Sequence, residues 1–242
     1  MLPQSFEEKV RETLAIDKRV YFLFLCLITF LVLLIKKSYI ENETAAFDVL
    51  QSRGQMGIFH AINAFQFITI PIIYLWKFTL IGFLLWMGSF AFGYKIIFSK
   101  CFQIAMIAET VFILPEIIKI GYFFLIETDP NLFDIRAFYP LSLMSLADYQ
   151  LLDPKWHYPF KALNLFEVVY WGLLIYGVHL AAKKRPDIAF WIVFSSYILF
   201  FFIWIWFYIN VYKWKSKVLR YTIIIWLYVN LQETIIHSSI IY

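Results

Sequence analysis

The chain has 242 residues, 62% of them hydrophobic and 21% aromatic against 16% charged, with a mean hydropathy of +0.72. Soluble globular domains run about 45–50% apolar and about 25% charged, so this composition excludes an ordinary soluble domain and places the surplus apolar surface in lipid. The net charge of +4 comes from Lys and Arg standing beside apolar runs, the pattern of membrane flanks rather than of a nucleic-acid partner.

Residues 1–19 form a charged amphipathic start, with Phe6, Val10 and Leu14 set among Glu7, Glu8, Lys9, Arg11 and Glu12. The apolar run 20–35, closed by Lys36 and Lys37, has the length of a signal-peptide core. No small-residue cleavage site follows it directly, so it is expected to be retained as a first span. At about 1.5 Å per residue it covers roughly 24 Å, and the stems of Lys18, Arg19, Lys36 and Lys37 complete the crossing. The next apolar stretch, 57–98, is too long for one crossing of a core about 30 Å thick. His60, Asn63 and Gln66 share one helical face and Pro71 follows, which predicts an interfacial helix over 57–68 and a second span over 70–94. Two spans hinged near Lys77 are the competing division, although no Gly or Pro lies at 75–80 to make the hinge.

A third span is expected over 101–125, a fourth over 163–182 and a fifth over 188–211, the last opened by Lys183, Lys184, Arg185 and Pro186. Residues 218–241 carry a polar stripe of Thr222, Asn230, Glu233 and His237 and are read as a possible sixth span, with a helix lying on the membrane surface as the alternative. The connecting loop 127–162 is acidic, is punctuated by Pro130, Pro140, Pro154 and Pro159, and is expected to form a short interfacial helix over 139–152. The expected fold class is therefore all-α: a polytopic transmembrane helical bundle of five or six spans with a partly helical interfacial loop. No internal repeat or Gly/Ser-rich linker divides the chain, so 1–242 reads as a single membrane domain. Lys and Arg are balanced across the two sides, and the acidic loop alone favours a cytoplasmic N-terminus.

Charge inside lipid is costly, about 2.5–3.5 kcal/mol for a central Asp, Lys or Arg, so each intramembrane charge is a candidate functional residue. Glu109 and Glu116 lie two turns apart on one face of the third span, and Lys119 follows Glu116 at a spacing that permits a local pair. Pro115 cannot donate to the carbonyl of Val111, which is expected to leave an acceptor free beside the carboxylates. With Lys77 and Glu167, these residues are expected to form an intramembrane polar network, either a proton or cation pathway or a set of pairs that fixes helix packing. Glu233 and His237 stand one helical turn apart, half of a metal site at most, and Cys26 and Cys101 make no metal knuckle. No nucleophile elbow, P-loop, dinucleotide fingerprint or metalloprotease helix occurs, so no catalytic residue, cofactor or metal is expected.

The second span with its glycines is followed by Phe98-Ser99-Lys100, Ala108-Glu109 and Pro115. Then come Phe138-Tyr139-Pro140-Leu141-Ser142-Leu143, Tyr158-Pro159, Asn164-Leu165-Phe166-Glu167 and Tyr170-Trp171. Over residues 70–211 this pattern resembles the Yip (Ypt/Rab-interacting) family of membrane proteins, in particular a bacterial branch of that superfamily. The resemblance implies a five-span helical bundle with a cytoplasmic N-terminus and no catalytic residues. Eukaryotic members of the family are tied to small GTPases and membrane trafficking. The short segment 1–19 and the apolar tail after Lys213 depart from the family pattern.

The expected function is that of a non-enzymatic accessory or scaffold subunit of a bacterial inner membrane, in contact with lipids and with other integral membrane proteins. Its partner surface is expected at Tyr139, Leu143, Trp156, His157 and Tyr158, where loop aromatics suit an interface. The alternative is a small transporter or permease component using the intramembrane carboxylates.

Overall fold

The computed structural model describes residues 16–38, 56–126, 132–182 and 185–218. Five of its helical stretches are long and apolar enough to cross a membrane: Lys18–Lys36, Ala64–Ala91, Phe98–Leu125, Leu165–Ala182 and Pro186–Tyr212. The all-α bundle expected from composition is thus the fold, and the protein is an integral membrane protein. The possible sixth span over 218–241 and the amphipathic start up to residue 15 lie outside the described residues.

Helix α1 (Lys18–Lys36) begins where Asp17 caps it, accepting the backbone N–H of Arg19 at 2.9 Å. Helix α2 runs unbroken from Met56 to Ala91 with Pro71 inside it. Both sequence-based divisions of this region are therefore corrected: 57–68 is not a separate interfacial helix, and no hinge forms near Lys77. A single proline removes one backbone hydrogen bond, and apolar side chains on either side of it keep both halves aligned. The third span changes character along its length, with α3 (Phe98–Ala108), a tight 3-10 turn over Glu109–Phe112 and then α4 (Ile113–Leu125). Pro115 accounts for the break, because its ring collides with the carbonyl four residues back. The carbonyl of Val111 is not left free as expected, since it takes the N–H of Ile113.

After the short helix α5 (Leu132–Ala137), the loop contains 3-10 turns at Leu143–Leu146 and Pro154–Trp156 and the helix α6 (His157–Ala162). The continuous interfacial helix expected over 139–152 is therefore absent. The chain is pulled out of helical geometry by a two-residue antiparallel bridge, Ser142 to Asn164, in which Leu143 N–H donates to Leu163 at 3.1 Å and Leu165 N–H to Leu141 at 3.0 Å. Leu141 adopts φ 55°, the left-handed region, to make this reversal. Helix α7 (Leu165–Ala182) follows, and the fifth span joins α8 (Pro186–Val193) to α9 (Leu199–Val218) through a π-helical segment, Phe194–Ile198. Ser195 and Ser196 both donate to the carbonyl of Ile192, at 3.2 and 2.7 Å, and this competition opens the helical ladder there.

The spans alternate in direction, so the 92–97 turn and the start of α8 at Pro186 share one end of the bundle with residue 16. The described part of the loop, 132–164, lies at the other end. Helices α2, α3, α7 and α8 enclose the main core, centred on Phe78, Leu85, Met106, Tyr170, Leu174 and Ile192. Small residues let their backbones approach: a Cβ on Gly82 would stand 3.0 Å from the backbone of Phe102, and one on Gly88 would stand 2.7 Å from Ser196 Cβ. Helix α1 leans on the outside of this core through two hydroxyl pairs of 2.6 Å, Tyr21 to Thr110 and Thr29 to Tyr74. Leu23, Leu27, Trp76, Phe90, Trp191 and Trp206 face outward, as lipid contact requires. Gly88→Val is expected to lower stability by about 1–3 kcal/mol through overpacking, read as a lower Tm of the detergent-solubilised protein. Substituting Gly172, which has no neighbouring atom within 4 Å, by Ala serves as the neutral control.

Candidate functional site

The sequence-predicted polar residues separate into one buried cluster and two tethers. At the centre, near the middle of the second and third spans, Lys77 Nζ lies 2.7 Å from Glu109 Oε1. Glu109 is 1% exposed. It occupies the first position of the 3-10 turn, and the ring of Phe112, three residues on, sits 4.9 Å from the same ammonium. Glu109 Oε2 has no hydrogen-bond partner among the described residues.

Glu167 joins this cluster from α7. Its Oε1 accepts hydrogen bonds from Trp171 Nε1 at 2.8 Å and from the hydroxyl of Tyr197 at 3.0 Å, the latter reaching across from the π segment. Tyr170 packs between the two halves, its ring 5.1 Å from Phe112 and 5.5 Å from Tyr197, and its buried hydroxyl has no partner among the described residues. The two irregular turns of the bundle, the 3-10 turn and the π segment, thus deliver Glu109 and Tyr197 to one place.

Glu116 and Lys119 do not pair with each other as their spacing allows. Glu116 binds Lys36 from α1 at 3.2 Å, and Lys119 donates to the carbonyl of Ile135 at 2.5 Å. Each neutralises a polar group of another element, which a local pair one turn along the same helix leaves unsatisfied. Glu116 therefore anchors the far end of α1, and Lys119 holds α5 against α4. Lys37 hydrogen-bonds Gln66, which adds a second fastening at that end of α1.

The partner surface expected in the loop is corrected in two of its five residues. Tyr139 and Tyr158 are 2% and 4% exposed and belong to the interior, because the bridge turns them inward. Burial, with the carboxylates of Glu116, Glu167 and Glu109 in range, holds the Tyr139 hydroxyl well above the ordinary phenol value of 10.0. Leu143 and Trp156 face outward, joined by Leu146 and Leu151, which are 84% and 85% exposed. His157 is half-buried and stacks on Tyr149 at 4.0 Å, its Nε2–H donating to the carbonyls of Tyr149 and Leu152 at 3.1 Å each. Two carbonyl acceptors on one nitrogen require a proton on Nε2. Burial holds its pKa below the ordinary value of 6.5.

Asn164 is the residue that sequence reading underrated. Its Oδ1 accepts the backbone N–H of Glu167 at 2.8 Å, while its Nδ2 donates to the carbonyls of Lys161 and Ala162 at 2.9 and 3.1 Å. Asn followed three residues later by Glu is a helix-start signature, so this role was available from the sequence. Tyr197 carried no such signal. Among the described residues no group of three His, Cys, Asp or Glu gathers to hold a metal. Glu233 and His237 lie outside them.

Compared with family models, curated proteins and solved structures, the chain matches none.

Asn164→Ala removes the cap of α7 and two loop contacts and is expected to cost about 0.5–2 kcal/mol, read as a lower Tm and faster proteolysis within 140–164. His157 binds fewer protons folded than unfolded below its ordinary pKa, so its contribution is present above 6.5 and is lost as pH falls through the lower folded value. Between about pH 7 and about pH 5, wild-type stability is expected to fall more steeply than that of His157→Phe, measured by thermal unfolding in one detergent.

Proposed function

We propose that this is a non-enzymatic accessory or scaffold protein of a bacterial inner membrane, with its N-terminus in the cytoplasm, that binds another integral membrane protein through the 141–156 face of its loop. The observation that carries this reading is the mounting of that face. Leu143, Leu146, Leu151 and Trp156 point away from the bundle, yet the backbone behind them is fastened by the Ser142–Asn164 bridge and by buried Tyr139, Met144 and Tyr158. An apolar surface held on a rigid base loses little conformational entropy on binding, which favours recognition. The five-span pattern is also what the resemblance to the Yip family implies. The acidic loop supports an external position for this face.

A second reading, a small transporter component, is favoured by the coincidence of the 3-10 turn with the Lys77–Glu109 pair in the middle of the spans. Its mark is an ion-coupled flux in proteoliposomes that Glu109→Gln abolishes.

The docking reading is tested by mild-detergent purification of the tagged full chain from its own host, followed by mass spectrometry. A stoichiometric membrane partner is expected. Leu146→Glu with Leu151→Glu is expected to reduce its recovery at least about tenfold without changing the Tm, the effect of charging an interface. Recovery of the wild-type protein alone, or of the partner undiminished with the double variant, overturns this reading.

A further inference from the structure

We propose that the bundle interior binds water on the loop side of the Lys77–Glu109 pair, shared by Glu109 Oε2 and the hydroxyls of Tyr170 and Tyr139. This site goes beyond the docking reading and does not depend on it.

Three polar atoms carry the argument. Glu109 Oε2 and the hydroxyl oxygens of Tyr170 and Tyr139 make no hydrogen bond among the described residues, and each of the three residues is at most 2% exposed. They come from different elements, the 3-10 turn, α7 and the loop. The Tyr170 ring is fixed between Phe112 and Tyr197, and the Phe112 ring lies 4.9 Å from the ammonium that binds Glu109. Tyr139 and Tyr170 share one packed core with Phe112. Glu109 is the charge that acts most strongly on the Tyr170 hydroxyl, and its field also reaches that of Tyr139. Leaving a buried donor or acceptor unmade costs free energy, most of all on an ionised carboxylate, and native interiors satisfy such groups with protein or with ordered water.

Charge and hydrogen-bond chemistry select the occupant. An anion meets Glu109 Oε2 at close range and is repelled. A cation finds no charge to balance, because Lys36, Lys37, Lys119 and Lys161 are buried as well as the glutamates. With Lys77, these inward lysines outnumber Glu109, Glu116 and Glu167 five to three among the described residues. The occupant is therefore neutral, donating to a carboxylate oxygen and accepting from phenolic O–H groups. Water does both: one O–H goes to Glu109 Oε2, and its oxygen accepts from Tyr170 and Tyr139, which makes the roughly three hydrogen bonds usual for a buried water. Tyr139 enters from the loop and Tyr170 stands in the second turn of α7, so the site lies toward the loop end. Toward the opposite end Phe78, Leu85, Met106 and Leu174 make the interior apolar.

Radiolytic footprinting of the full chain in lipid nanodiscs tests this, because hydroxyl radicals formed in place from bound water oxidise the side chains that touch it. Oxidation of Tyr170 and Tyr139 is expected despite their burial, while Met106, equally buried and more reactive, stays unmodified. Tyr170→Phe takes away one of the shared hydrogen bonds and is expected to lower both the labelling of Tyr139 and the Tm. In a dry interior the same substitution removes an unsatisfied hydroxyl and raises the Tm. Tyr139→Phe is expected to act in the same sense on the labelling of Tyr170 and decides the matter if Tyr170→Phe does not fold. Unmodified tyrosines in the folded wild type overturn the proposal, as does labelling of Met106 to the same extent as the tyrosines. A rise in Tm with either substitution, or labelling of the remaining tyrosine that neither substitution lowers, overturns it too.

Discussion

An ion pair in the middle of a membrane bundle leaves its helices little freedom. Lys77 and Glu109 come from different spans, and neither charge is tolerable facing lipid. Their 2.7 Å contact therefore sets the rotation of α2 against the third span, and with it which residues face inward. Phe78, Ile81 and Leu85 follow Lys77 into the core, while Leu75, Trp76 and Leu80 are turned to lipid. Removing one partner from such a pair costs about 3–5 kcal/mol, more than any single apolar contact around it supplies.

The remaining spans are arranged around that contact by small residues and by breaks in helical regularity. Gly82 brings Phe102 of α3 close to α2, Gly177 admits Ile104 against α7, and Gly88 admits Ser196. In lipid, apolar surface alone does not drive helices together, so close backbone approach and buried hydrogen bonds carry the association. The 3-10 turn at Glu109–Phe112 and the π segment at Phe194–Ile198 rotate side chains by amounts a regular helix cannot. Glu109 and Tyr197 meet the cluster through these two irregularities.

The loop is governed by the same need to satisfy polar groups away from water. Asn164 uses three of its hydrogen-bonding positions at the start of α7, and the bridge at Ser142 satisfies backbone groups that a free strand leaves open. Its inward side joins the interior through Tyr139 and Tyr158. Its outward side keeps Leu141, Leu143, Leu146, Leu151 and Trp156 available for contact.

The sequence by itself determined the lipid setting, the helical class and, apart from the start of the second, the bounds of the five spans found among the described residues, because about 20 consecutive apolar residues have few other uses. It also marked Lys77, Glu109, Glu116, Lys119 and Glu167, because charge within such runs stands out. The partners of those charges were decided only by the tertiary structure. Glu116 chose Lys36, eighty residues away, over Lys119 one turn along its own helix, and Tyr197 reached Glu167 through a π segment. Spacing along one helix records which residues can meet locally, whereas contacts between spans depend on helix rotation, depth and close approach. The long helix α2 was misread for a related reason: Pro71 is a break in a sequence pattern, but neighbouring helices keep the two halves in line. Tyr139 and Tyr158 looked like surface anchors for want of any local sign of the bridge that buries them.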